Sequence, residues 1–273
     1  MIWASSLATA FSILLITFIQ GLHHPESPYL IPLRLEVNNV FVSIIIIALL
    51  SPTVASYLNL RFKRSVEANT PAFLRDLADN VESGLTLPQS LREASKNDYG
   101  PITAQLKKSL AKFMLGKKFN EAVMEMGRGL HHPQALQTAT VIEEAYNAGG
   151  RVGEVLLTAV DVYSTLNEYR ERRRTRMSPY SLLIFMAVFI FLIVSYVILN
   201  RFFPPLYQSG SSMFLENLPS LDYFKSILLW ACVLESLFGG LICGKISQGT
   251  ISSGLLNSLI LTGISVVFFN LMI

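Results

Sequence analysis

Charge is scarce in this chain, and scarcest at its two ends. Only 15% of the 273 residues are charged, where an ordinary soluble domain carries about 25%. Of the 41 charged side chains, 32 lie between positions 61 and 176. The flanks are therefore unlike water-facing protein, while the middle has the charge of a soluble module. A net charge of +3 is too small to argue for nucleic acid as a partner. Cysteine is nearly missing too. Cys232 and Cys243 share one apolar run. The intervening stretch of helix would hold them roughly 16 Å apart, too far for a disulfide. They read as small packing residues and say nothing about an oxidising compartment. No valine- or isoleucine-rich alternation occurs between 61 and 176, which argues against a sheet there. Ser-His-Asp, Cys-His, paired-carboxylate and dinucleotide patterns are absent in any credible context. The expectation is a protein that is no enzyme and holds no cofactor.

What the flanks do contain is apolar sequence. A helix needs about 20 mostly apolar residues to cross the hydrocarbon core. Five stretches approach that: Ile2–Ile19, 40–60, 180–199, 226–243 and 255–273. The first has no basic residue before its apolar core and no convincing cleavage site after it, so it reads as a retained anchor. Arg61, Lys63 and Arg64 follow the second stretch. Arg170, Arg172, Arg173, Arg174 and Arg176 precede the third. The segments 22–39 and 201–225 are poorer in basic residues, which puts the central module in the cytoplasm and those segments outside. The expected fold class is all-α: a polytopic helical membrane protein of about five spans with a cytosolic six-helix bundle. The expected division is 1–60, 61–176 and 177–273.

Within the bundle, apolar residues recur at three and four, the helical period. Phe73, Leu74, Leu77, Val81 and Leu85 mark the first helix. Val155, Ala159, Val162, Leu166 and Tyr169 form a stripe on the last, which predicts its inward face. Thr70-Pro71 predicts a helix start, a cap residue followed by proline at the first helical position. Gly84 ends that helix, Pro88 opens the next, Gly100-Pro101 breaks again, and Gly116 ends the third. Further helices are predicted over 119–126 and 133–147, the latter ended by Gly149-Gly150, and a sixth over 153–176.

Three pieces of this pattern resemble a known family. The run Phe73-Leu74-Arg75-Asp76-Leu77-Ala78-Asp79-Asn80-Val81-Glu82-Ser83-Gly84-Leu85-Thr86-Leu87-Pro88-Gln89-Ser90-Leu91 is similar to the opening of the type II secretion system F domain. The stretch from Gly116 to Val123, and Glu144-Ala145-Tyr146-Asn147-Ala148-Gly149-Gly150 with the following helix, fit the same domain. Arg172 to Tyr180 and the run from Gly239 to Gly249 resemble its archaeal branch, the membrane platform of archaella and archaeal type IV-like pili. Tad-pilus platforms are relatives. The resemblance implies a non-catalytic scaffold beneath a growing filament. Its implied partners are a cytosolic secretion ATPase and pilin or archaellin subunits leaving the bilayer. Many archaeal platforms carry two such domains and this chain carries one, which implies a homodimer or a partner platform chain.

Candidate sites follow. The arginines Arg170, Arg172, Arg173, Arg174 and Arg176 can anchor at anionic lipid head groups or dock an acidic ATPase face. The turns around Gly84 and Pro88 and around Gly149 and Gly150 are a second candidate for partner contact. Ser236, Gly240 and Gly244 recur every fourth residue, as do Gly254, Ser258 and Thr262. Such small-residue faces let membrane helices approach closely, and these two are expected to meet. Gly239 to Lys245 nearly spells a phosphate loop but lacks the Ser or Thr that would bind magnesium, and no strand precedes it. Glu235 is an intramembrane carboxylate, expected to pack against Asn257 or Ser258, with a proton relay as the functional alternative. His23-His24 and His131-His132 lack completing ligands for a metal. The competing functional class is a small transporter or channel, for which only Glu235 speaks.

Overall fold

The computed structural model describes residues 2–19, 35–208 and 220–272. The histidines His23 and His24 and most of segment 22–39 lie outside the described residues, as does part of 201–225. The chain divides into two compact units, Asn59–Arg173 and Met1–Leu58 together with Arg174–Ile273.

The Asn59–Arg173 unit holds six helical segments. They are the C-terminal part of α2 (Leu35–Glu82), α3 (Leu87–Ala94), α4 (Pro101–Met114), α5 (Phe119–Gly129), α6 (Pro133–Asn147) and the N-terminal part of α7 (Val152–Val197). Phe73, Leu74, Leu77, Leu91, Leu106, Ile142 and Leu156 form its fully buried centre. Local chemistry sets the turns. Gln89 accepts the Thr86 N–H at 3.0 Å to cap α3. Gly100, at φ 62°, stands where a Cβ would press on the Ser65 hydroxyl at 2.8 Å. Its missing side chain lets the α3–α4 turn lie directly on α2. At the start of α6 the His132 ring accepts the Gln134 N–H at 3.2 Å.

Contacts order this unit along its length. Helices α2 and α7 run antiparallel, with Asn167 beside Glu67 and Gly153 beside Glu82. Gly100 meets Ser65 and Asn69, and His132 meets Glu67, so those turns lie at the end where the chain enters and leaves. Phe119 stacks on Tyr146 with centroids 4.3 Å apart. The α2–α3, α4–α5 and α6–α7 turns accordingly share the opposite end.

Two expectations need correction. Thr70-Pro71 starts no helix, because α2 continues through it. Proline lacks the N–H that would bond the carbonyl four residues earlier, which leaves the Glu67 carbonyl free. Asn167 of α7 takes it, its side-chain amide donating at 2.8 Å. Thr70 instead bonds back to the Val66 carbonyl at 2.7 Å. The inward face of α7 is likewise not the predicted one. Leu156, Val160 and Tyr163 are buried, Val155 and Ala159 flank them, and Val162, Leu166 and Tyr169 are exposed. The Asn167 bond accompanies that rotation.

The other unit contains α1 (Ile2–Ile19), the N-terminal part of α2, the C-terminal part of α7, a π-helical turn at Ile198–Phe202, α8 (Phe203–Gln208), α9 (Leu221–Gln248) and α10 (Leu255–Met272). Among the described residues four helices are long and apolar enough to cross a membrane: Glu36–Glu82, Gly149–Pro205, Leu221–Gln248 and Ile251–Leu271. In α1 the shorter stretch Ala8–Ile19 is apolar. Among the described residues the chain is all-α, and it is a multi-pass membrane protein. Val42, Val188, Leu192, Leu229, Val233, Leu261 and Phe269 build this unit's apolar core. Pro52 inside α2 frees the Ala48 carbonyl, and Ser6 of α1 donates to it at 3.4 Å.

Helices α9 and α10 pack backbone to backbone. A Cβ on Gly240 would overlap the Ser258 backbone, and one on Gly244 would overlap Gly254. Ser236 and Ser265 share a hydrogen bond at 2.7 Å, and Ser258 donates to the Leu237 carbonyl at 2.8 Å. Gly240→Leu is expected to abolish recovery of folded protein or to lower its melting temperature in detergent steeply, since the clash is with main chain. Gly263, whose Cβ position is open, should accept leucine with little change in the same melt.

Candidate functional site

The densest polar constellation lies at the end of the Asn59–Arg173 unit where the chain enters and leaves. Glu67 on α2 is its centre. Its carboxylate meets Arg170 Nη1 at 3.3 Å and His132 Nε2 at 3.4 Å. Arg170 also donates to Gln134 Oε1 at 3.0 Å and Asn167 Oδ1 at 3.2 Å. Burial pushes His132 below its ordinary pKa. Lys63 and Arg170 push the same way, and Glu67 opposes them. The neutral ring therefore accepts the Gln134 N–H through Nδ1, which assigns its proton to Nε2, facing Glu67. These five side chains tie α2, α6 and α7 together. They offer no nucleophile–base pair, and among the described residues no group of three or more His, Cys, Asp or Glu could hold a metal ion.

The predicted basic row divides in use. Arg170 is engaged with Glu67 and Gln134, and Arg172 pairs with Glu168 at 2.6 Å one turn away. Arg173, Arg174 and Arg176 have no ion pair among the described residues, and all three are exposed. The glycines Gly84 (φ 98°) and Gly149 (φ 61°) adopt left-handed turns, and with Pro88 and Gly150 they stand at the opposite end from Glu67.

That opposite end carries charge of its own. Glu125 of α5 receives Lys112 at 2.6 Å and also Lys117. Hydrogen bonds from these two ammonium groups hold its carboxyl down to about 2. Elsewhere Tyr99 is buried and donates to Asp76, and burial followed by that bond pushes its phenol up to about 12.

In the membrane unit the predicted small-residue faces come together, Gly240 against Ser258 and Gly244 against Gly254. Thr262 is buried beside them. Glu235 is half-buried and bonds neither of its expected partners. Asn257 turns to the Cys243 sulfur at 3.2 Å, and Ser258 to the Leu237 carbonyl. Sequence reasoning missed Asn38, which is fully buried. It donates to Ser226 at 2.8 Å and accepts the Trp230 indole N–H at 3.0 Å. The Glu67–His132–Asn167 constellation was missed as well. Its one legible clue was the glutamate four residues before a proline.

Two outcomes test the constellation. Asn167→Leu leaves the Glu67 carbonyl unpaired and should cost about 1–3 kcal/mol of stability, read as a lowered melting temperature. Because the folded state holds His132 below its unfolded value, about 6.5, the unfolded chain binds the extra proton first. Stability should therefore fall as pH drops through that value. Comparing melts above and below it, His132→Gln should lose part of the decline seen in the wild type.

Comparison with known proteins bears on this arrangement. An uncharacterized protein of Methanocaldococcus jannaschii is 24% identical over 215 residues, which is 78% of this chain and 35% of the relative. The chain thus spans about a third of that relative's length. No solved structure matches. Residues 73–199, which run from the buried α2 face through the bundle and along α7, match the model of type II secretion system protein F. Over that segment the chain is similar to the type II secretion system F domain.

Proposed function

We propose that this protein is the non-catalytic membrane platform of an archaellum, a type IV-like pilus or a type II secretion-like machine. In this reading it lies in the cytoplasmic membrane with its Asn59–Arg173 unit in the cytoplasm. There it couples a cytosolic secretion ATPase to the assembly of pilin or archaellin subunits. The observation that carries the proposal is the family match over 73–199, which takes in both the bundle and the apolar part of α7. The clustering of Lys and Arg beside the bundle supports the orientation. Helices α2 and α7 are each continuous between bundle and apolar segment, which suits them to pass ATPase movement toward the bilayer. In this reading a second copy or another platform chain is a further partner. Turns at Gly84 and Gly149, and the free arginines Arg173, Arg174 and Arg176, are the candidate contact points for ATPase and lipid.

The reading is tested by co-purifying the full chain in detergent with the secretion ATPase of the same organism. Co-elution is expected, and its absence would defeat the proposal. Arg172→Glu with Arg173→Glu should weaken co-elution several-fold and make it less sensitive to salt. Unchanged binding would leave those arginines a lipid role.

A further inference from the structure

Leu115 is 88% exposed and its neighbour Met114 72%. No other large apolar side chain among the described residues is as exposed as Leu115. They close α4, and Gly116, at φ 96°, turns the chain back so that the pair projects from the end of the unit. Lysines flank it on both sides in the sequence. Lys107, Lys108, Lys112, Lys117 and Lys118 occupy the stretch 107–125, where the only carboxylates are Glu121 and Glu125. Glu125 must serve both Lys112 and Lys117. Lys107, Lys108 and Lys118 have no ion pair among the described residues. Unburied apolar groups flanked by one sign of charge mark a surface for a partner.

The position of this knob limits its occupant. Helix α4 starts at Gly100 against Ser65 and Asn69, at the end where the chain enters the unit. Its 14 residues carry the chain roughly 21 Å along the bundle at 1.5 Å per residue. The knob therefore stands with Gly84, Gly149 and Tyr146 at the end remote from Asn59 and Arg173. A second copy would bring lysine against lysine if two knobs met. Two side chains and a turn are also far short of the roughly 800 Å² per partner of a stable interface, so the knob fits as an anchor within a larger contact.

We propose that Met114 and Leu115, framed by Lys107, Lys108, Lys112, Lys117 and Lys118, seat in an apolar pocket rimmed by carboxylates on a soluble protein partner. This rests on the platform reading above and takes its ATPase as that partner.

The test uses the full chain in nanodiscs of neutral phosphatidylcholine, with Kd for the cognate ATPase measured by biolayer interferometry. Leu115→Asp is expected to weaken binding at least about tenfold, as loss of a central anchor does. Lys107→Glu with Lys108→Glu and Lys118→Glu should weaken it and reduce its salt dependence. Val162→Asp, on the exposed face of α7, should bind like the wild type, and the melting temperature of Leu115→Asp should match the wild type because the side chain is exposed. If the wild type binds and Leu115→Asp binds equally well, the knob is overturned and the platform reading stands. If the wild type does not bind, both fall. Disulfide-linked dimers of Leu115→Cys, in a Cys232→Ser, Cys243→Ser background, would assign the knob to a second copy and overturn the proposal.

Discussion

A carbonyl without its N–H organises the helical bundle. Pro71 breaks the hydrogen-bond ladder of α2 at Glu67, and a backbone oxygen left unpaired in a partly buried place is costly. Asn167 answers it from α7, and much else follows from that one bond. It accompanies the rotation of α7 that turns Leu156, Val160 and Tyr163 inward and leaves Val162, Leu166 and Tyr169 outside. It also brings Arg170, one turn further on, over the Glu67 carboxylate. With Arg170 in place, His132 at the start of α6 completes a cluster that joins three helices.

The membrane unit solves a related problem by other means. Lipid gives helices no hydrophobic reason to associate, so close packing and interhelical hydrogen bonds must do it. Helices α9 and α10 use both, with main chain against main chain at Gly240 and Gly244 and Ser236 bonded to Ser265. Asn38, Ser226 and Trp230 use the second. At Pro52 a serine hydroxyl from α1 supplies what the helix lost, the same remedy that Asn167 provides in the bundle.

Much of this was legible in the sequence, and the failures share a cause. Helix ends at Gly84, Pro101, Gly116, Pro133 and Gly149 could be read because glycine and proline impose their backbone preferences locally. The paired small residues on α9 and α10 were visible as a period of four. Thr70-Pro71 misled because a proline within a helix and a proline opening one look alike until a distant residue is seen to take the freed carbonyl. On α7 two neighbouring stripes, one through Val155 and Val162 and one through Leu156 and Tyr163, both obey helical spacing. Packing of Leu156 and Tyr163 against distant helices and the polar contact of Asn167, a hundred residues from Glu67, choose between them. Glu235 defied its reading for the converse reason. Its expected partners, Asn257 and Ser258, found nearer acceptors on α9 itself.

The α9–α10 contact also bears on how the chain folds. Gly249, left-handed at φ 78°, ends α9, and the 3-10 turn Ile251–Gly254 leads almost at once into α10. So short a link gives the second helix no room to settle anywhere but against the first. The two therefore fold as one hairpin, zipped from its turn, because their contacts are local in sequence.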